Sequence, residues 1–426
     1  MLSTPTLRNN CNSVLASTNY LCSAARCNAN RTSTLMCPRH MALREVSTDG
    51  NLIPQQPALI VSTQTLPTPT MFQYKNVTVK KVLQDSIQTL QSHDVPESEL
   101  SACHLLSQVL ALPSSNGFSS LLQLLDYDII HPTLSHRRLT CDEAKTYQSM
   151  VERRLQHEPI QYILGEWDFY DFTLKCRAPI LCPRSETEEL VEWVRQDIVD
   201  YLKSRPQSYR NNAVQKRVRI LDVGSGSGAI GLALARIFPE AEVVAIDLSP
   251  EAVALSKENA ALLQLNKQES ATLKSGDHCR YQVLCCSAKD FTNQHDTSTS
   301  ACQQFHFEFD FVVSNPPYIP PSDMPTLTRD VIQYESHDAL CGGGNDGLNV
   351  IRDIIERLPE WTKNAAYGRG DLFMEVDTSH PALIEKWLRS DCNDSDTVNS
   401  VYFVESRKDL FGSDRLVKAR AIRSND

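Results

Sequence analysis

Arg219-Ile220-Leu221-Asp222-Val223-Gly224-Ser225-Gly226-Ser227-Gly228 sets the architecture of this 426-residue chain. Its first half is a short apolar run of the kind that forms a buried strand. The glycines that follow let the backbone turn tightly and come close to a ligand. Ile230–Ile237 continues as a helix, whose first N–H groups lie open to that ligand. A second strand, Glu242–Ile246, ends at Asp247, where a carboxylate can accept both hydroxyls of a ribose. Asp222, Gly224, Ser225, Gly226, Ser227, Gly228 and Asp247 are therefore the candidate cofactor contacts. Dinucleotides and S-adenosylmethionine both carry a ribose, so these residues alone leave the two open.

Outward from this unit, strand and helix alternate. Glu251–Leu263 reads as a helix, opened by Ser249-Pro250 as cap and first-turn residue. Tyr281–Leu284, Phe309–Val313 and Leu372–Val376 read as strands, with helices at Leu348–Leu358 and His380–Leu388 between and after them. Val401–Val404 and Val417–Ile422 close the chain as strands. The alternation predicts an α/β fold, a mostly parallel sheet with helices on both faces. Before it, Val82, Ile87, Leu90, Leu105, Leu106, Leu121-Leu122, Leu124-Leu125, Tyr147, Met150 and Val151 recur at helical spacing. The expected plan is a leader and linker over 1–75, a small all-helical domain over 76–164, a hairpin linker over 165–182 and the α/β domain over 183–426. Ser204–Gln215 and Thr292–Gln303 read as polar surface insertions.

The fourth strand separates the two ligands. A dinucleotide needs a second mononucleotide half, which this chain does not offer. Instead, Phe309–Val313 runs into Asn315-Pro316-Pro317-Tyr318. Neither proline has an N–H, and both hold φ near −65°, so the turn is stiff and its carbonyls point in set directions. Asn315 adds a side-chain carbonyl, and Tyr318 a flat ring. Such a cup suits a planar group bearing an NH2: the Asn315 oxygen and the Pro316 carbonyl each accept one hydrogen, and Tyr318 packs on the plane. Asn315, Pro316 and Tyr318 are the catalytic candidates, and Pro317 joins them in binding the acceptor. S-adenosylmethionine is the donor this arrangement points to.

Bulk properties narrow the class. Hydrophobic content of 41% with 22% charged residues describes an ordinary globular chain. No stretch approaches the roughly 18 apolar residues of a membrane span. Residues 1–44 contain Arg8, Arg26, Arg31, Arg39 and Arg44 but no Asp or Glu, among many Ser, Thr and Asn, which is the composition of an organelle transit peptide. Its removal would take the formal charge from −10 to −15, since five positive charges leave and no negative ones do. An acidic body disfavours stable nucleic-acid binding. The 14 cysteines lack C-x-x-C spacing and read as free thiols, while the 11 histidines show no metal-ligand pairing. No metal site is expected.

The chain resembles the HemK/PrmC protein-glutamine methyltransferases, which modify the Gly-Gly-Gln loop of translation release factors. Beside the glycine loop and Asn315–Tyr318, the likeness rests on residues 153–164 with Gly165 and Phe169, and on Pro183-Arg184-Ser185-Glu186-Thr187-Glu188. Gly342-Gly343-Gly344, Asp346-Gly347 and Lys408–Arg415 extend it. The resemblance implies a class I S-adenosylmethionine-dependent fold with a seven-stranded sheet. It further implies an N5-methylglutamine product, a release factor bound by the N-terminal helices, and, with the acid-free leader, the mitochondrial branch of the family. Arg184 and Glu186 then shape the substrate wall, Asn315 also borders the cofactor, and Asp290 is the residue placed near adenine. Ser185 departs from the family's usual proline, and Ser287-Ala288-Lys289-Asp290-Phe291 departs from its usual acid-and-aromatic pattern. A rival reading is an adenine-N6 methyltransferase, because adenine also presents a planar NH2; the acidic body and the Pro183–Glu188 segment oppose it. A catalytically silent module docking on release factors is the reading from another class.

Overall fold

The computed structural model describes residues 74, 76–112, 132–205, 217–265, 280–291, 309–362, 370–390 and 401–421, which belong to one compact unit. The leader and linker through residue 73, Leu121–Leu125 and nearly all of the two polar insertions lie outside the described residues.

Five helices come first: α1 (Val79–Ser92), α2 (Ser98–Val109), α3 (Pro132–His136), α4 (Cys141–Leu155) and α5 (Ile160–Leu164). Thr140 opens α4 with a capping box, its hydroxyl accepting from Glu143 N while the Glu143 carboxylate accepts from Thr140 N. Tyr147 on α4 joins three helices, its hydroxyl 2.7 Å from Ser86 Oγ on α1 and donating to Ala102 O on α2. Gly165 ends α5 in the left-handed region (φ 79°) and leads into an antiparallel hairpin, β1 (Glu166–Phe169) and β2 (Phe172–Lys175).

Helix α6 (Ser185–Ser204) then precedes a seven-stranded sheet. Its strands are β3 (Val218–Val223), β4 (Ala241–Asp247), β5 (Tyr281–Cys285), β6 (Phe311–Ser314), β7 (Asp371–Glu375), β8 (Val401–Lys408) and β9 (Asp414–Ala421). They lie in the order β5-β4-β3-β6-β7-β9-β8. The first five are parallel, and β9 runs antiparallel to both of its neighbours. Period-two alternation divides the side chains between two cores. Ile220, Val243, Val313 and Phe373 pack with Leu190 and Val194 of α6 and Leu232 of α7 (Ala229–Ile237). Leu221, Val244, Val312 and Leu372 face Ile351, Ile355 and Ile384 on the other side. Helices α8 (Pro250–Leu262), α9 (Arg329–Tyr334), α10 (Asn349–Thr362) and α11 (His380–Ser390) complete the described set. None of these helices is long and apolar enough to cross a membrane.

The structure extends several sequence-based elements. The last two strands are longer than their apolar runs, because paired backbone continues where side chains turn polar. Helix α10 continues through Pro359 to Thr362. Burial of Trp361, whose indole N–H donates to Phe291 O at 3.0 Å, outweighs the donor lost at the proline. Helix α9 gave no clear apolar period, and none of its residues is buried.

Candidate active site

Register places the site. Val223 pairs with Ile246 and with Ser314, and Ser314 pairs with Met374. The next residues, Asp247, Gly224, Asn315 and Glu375, therefore stand side by side at the carboxyl edge of β4, β3, β6 and β7, with strands about 4.8 Å apart. The chain leaves β3 for β4 and β5 on one side and returns to β6 on the other, so this is the crevice where open α/β sheets take ligands.

The glycine loop turns through three left-handed residues, Gly224 (φ 71°), Gly226 (56°) and Gly228 (88°). Gly224 N and Ser225 N both donate to Ile246 O, and Gly226 N donates to Asp247 Oδ2 at 2.8 Å. A Cβ added at Gly224 or Gly226 would meet no atom within 4 Å, so the loop's outer face is open. One at Gly228 would lie 2.7 Å from Ser256 Oγ, so that residue faces inward. Ser225 and Ser227 are buried between them.

The two acids divide their work. Asp247 bonds Gly226 N through one oxygen and Ser249 N through the other, at 2.8 and 2.9 Å. Each oxygen keeps lone-pair capacity for a hydroxyl. Burial raises its pKa, against the pull of those two N–H bonds. Asp222 is wholly buried under the loop, where Oδ2 accepts from Gly231 N on α7 at 2.9 Å and Oδ1 has no partner among the described residues. Burial pushes its carboxyl up to about 7. It holds helix to strand beneath the loop instead of reaching the open face. Asp290 is exposed, just beyond β5, and accepts from Ser287 Oγ at 2.6 Å.

Across the crevice, Asn315 Nδ2 donates to Thr187 Oγ1 at 3.2 Å, and that hydroxyl donates to Glu375 Oε2 at 2.6 Å. Among the described residues nothing donates to Asn315 Oδ1 or to the Pro316 carbonyl. Tyr318 packs on the core layer, its hydroxyl accepting from Arg415 Nη1 at 3.4 Å, and burial pushes the phenol up to about 12. A second glycine-rich segment holds the turn: Ile319 N donates to Leu340 O, and Gly342 N to Ile319 O. A Cβ at Gly342 would lie 1.9 Å from Gly347 O and 2.8 Å from the Pro317 carbonyl.

Arg184 donates to both oxygens of buried Glu335 at 2.7 Å. Glu186 accepts from its neighbour Ser185 Oγ at 3.0 Å, with no other described hydrogen-bond partner. Glu188 accepts from Tyr170 N and Glu189 from Leu410 N, so these acids tie the start of α6 to the hairpin and to the 409–413 loop. Thr187, Glu375, Glu335 and Arg415 escaped the sequence reading. An acid ending the otherwise apolar Leu372-Phe373-Met374-Glu375 run was a usable signal, and Thr187 and Arg415 stood inside segments already singled out. Glu335 carried none.

This sheet order, an open glycine loop, an acid closing the next strand and Asn-Pro-Pro-Tyr at the crevice define a class I S-adenosylmethionine-dependent methyltransferase. The open face over Gly224 and Gly226, with Asp247 beside it, fits the ribose of that donor. Residues 81–165 match the PrmC N-terminal domain, and residues 215–320 a methyltransferase domain. The MTRF1L release factor glutamine methyltransferase of Homo sapiens is 33% identical over 305 residues, covering 70% of this chain and 76% of that protein. The release factor glutamine methyltransferase of Thermodesulfovibrio yellowstonii is 30% identical, covering 69% of this chain and 88% of its own length. That of Flavobacterium psychrophilum is 31% identical over 64% of this chain and 79% of its own. The chain belongs to the release factor glutamine methyltransferase family.

Proposed function

We propose that this protein methylates the side-chain nitrogen of the glutamine in the Gly-Gly-Gln motif of a peptide chain release factor. The observation that carries the reading is the Asn315–Thr187–Glu375 chain, which leaves the Asn315 oxygen as the free end of its amide. Bound S-adenosylmethionine supplies a methyl group made electrophilic by its positive sulfur, and Gly224–Gly228 and Asp247 would hold it. Asn315 Oδ1 and the Pro316 carbonyl accept the two hydrogens of the substrate amide. Held there, the nitrogen faces the donor side of the crevice, and its lone pair is drawn away from conjugation with the substrate's own carbonyl. Tyr318 supports the amide plane. The proton released afterwards goes to water, so no basic side chain is needed. Positioning of this kind supplies at most about 7–11 kcal/mol.

Arg184, fixed by Glu335, and Glu186 at the start of α6 line the approach to the turn, and Asp290 lies on the adenine side. The N-terminal helices receive the release factor. The acid-free, arginine-bearing composition of residues 1–44 supports a mitochondrial matrix address and an organellar release factor. Mass spectrometry of a release factor incubated with enzyme and donor should show one added methyl on that glutamine. Asn315→Ala should lower kcat about a hundredfold or more, far more than it weakens S-adenosylhomocysteine binding. An unmodified glutamine, or a fully active alanine variant, would reject the assignment.

A further inference from the structure

We propose that the Thr187–Glu375 pair makes the site select a carboxamide over a carboxylate, by fixing which end of the Asn315 side chain faces the acceptor. The inference rests on the function proposed above. An ionised carboxylate can only accept hydrogen bonds. The 2.6 Å contact between Thr187 Oγ1 and Glu375 Oε2 therefore commits the hydroxyl proton to Glu375. The Thr187 oxygen is left as an acceptor, and the Asn315 NH2 meets it at 3.2 Å. The amide oxygen must then occupy the opposite end.

The consequence is that the two groups offered to the substrate's NH2, Asn315 Oδ1 and the Pro316 carbonyl, are both acceptors. A glutamine amide brings two hydrogens to them. A glutamate carboxylate brings none and sets lone pairs against lone pairs. The discrimination is strong for the reason that buried polar groups left unpaired are costly. Nothing in Asn315 itself imposes this polarity, because its two ends are nearly the same shape. The orientation comes from Thr187, on the first turn of α6, and Glu375, the last residue of β7. Glu375 is 2% exposed, and burial raises its pKa, against the pull of the Thr187 hydrogen bond and of the Arg415 and Arg184 charges. Thr187 and Glu375 are positioning residues.

The test compares steady-state methylation of a release factor bearing Gly-Gly-Gln with inhibition by the same protein bearing Gly-Gly-Glu. Thr187→Val keeps the shape but removes the hydroxyl, so Asn315 is free to turn over. It should lower kcat about tenfold or more, and the glutamate form should become a better competitor by a similar factor. S-adenosylhomocysteine affinity should stay within about twofold, which a general loss of structure would not allow. Thr187→Ser, which keeps the hydroxyl, should restore the discrimination. Glu375→Gln lets the partner of Thr187 either accept or donate, and should fall between the two. A valine variant with wild-type kcat and wild-type glutamine preference overturns the inference, as does a serine variant that behaves like valine. Wild-type protein that leaves the glutamine form unmethylated overturns the function itself; wild-type methylation with an unchanged valine variant overturns only this assignment.

Discussion

Asp222 and Asp247 sit on neighbouring strands of one sheet, yet burial gives them different chemistry. Asp247 shares its charge with two backbone N–H groups and keeps room for hydroxyls. Asp222 is wholly buried with one N–H partner among the described residues, and burial raises its pKa from 3.8 to about 7. A folded-state pKa above the unfolded one means the native protein holds the proton more tightly. The stabilisation is complete below the unfolded value and is lost as pH rises through about 7, a change of at most about 4 kcal/mol. Asp222→Asn keeps an acceptor for Gly231 and removes the titration. Thermal melts between pH 5 and pH 8 should therefore show a smaller pH dependence for the variant than for the wild type; equal slopes would dismiss the effect. From the sequence, both acids read as ligand contacts, Asp222 because it precedes the glycine loop and Asp247 because it closes the next strand. Which one lies under the loop depends on the packing of α7 against β3, which spacing does not encode.

Among the elements, two glycine-rich segments have unlike tasks. The first leaves its outer face open at Gly224 and Gly226. The second, Gly342–Gly347, is a wedge against the Asn-Pro-Pro-Tyr turn. At Gly347 (φ 74°) a Cβ would fall 2.2 Å from Tyr318 O, backbone that cannot step aside. Gly347→Ala should shift the turn, lowering kcat at least about tenfold, and cost about 1–3 kcal/mol of stability. Steady-state kinetics beside a melting curve would check this, and unchanged values in both would refute the wedge. The tetrapeptide was readable because prolines stiffen it locally. Its dependence on a glycine loop about 25 residues later was not, since that contact exists only once residues 319–347 have folded back against the end of β6.

At the scale of the molecule, the site is a product of strand order. Asp247, Gly224, Asn315 and Glu375 are far apart in the chain and adjacent only because β4, β3, β6 and β7 pair in that sequence. The helical part joins the same unit through Tyr334, whose hydroxyl donates to Gln156 O at 3.1 Å, and through His104 against Trp167, ring centroids 5.0 Å apart. A ligand seated across three strand ends should stabilise the whole fold. S-adenosylhomocysteine at about a hundred times its dissociation constant should add about 2.7 kcal/mol, seen as a rise in melting temperature. Asp247→Ala should lose most of that rise, and a full shift in the variant would remove Asp247 from the site. Strand, glycine loop, acid and prolines are local features, written in residue types whose backbone preferences act over a few positions. The sequence alone could therefore supply the fold class and the family. The polarity of Asn315, the shelter of Asp222 and the clamp of Glu335 on Arg184 arose only with tertiary packing, because each joins residues from different elements through burial and register.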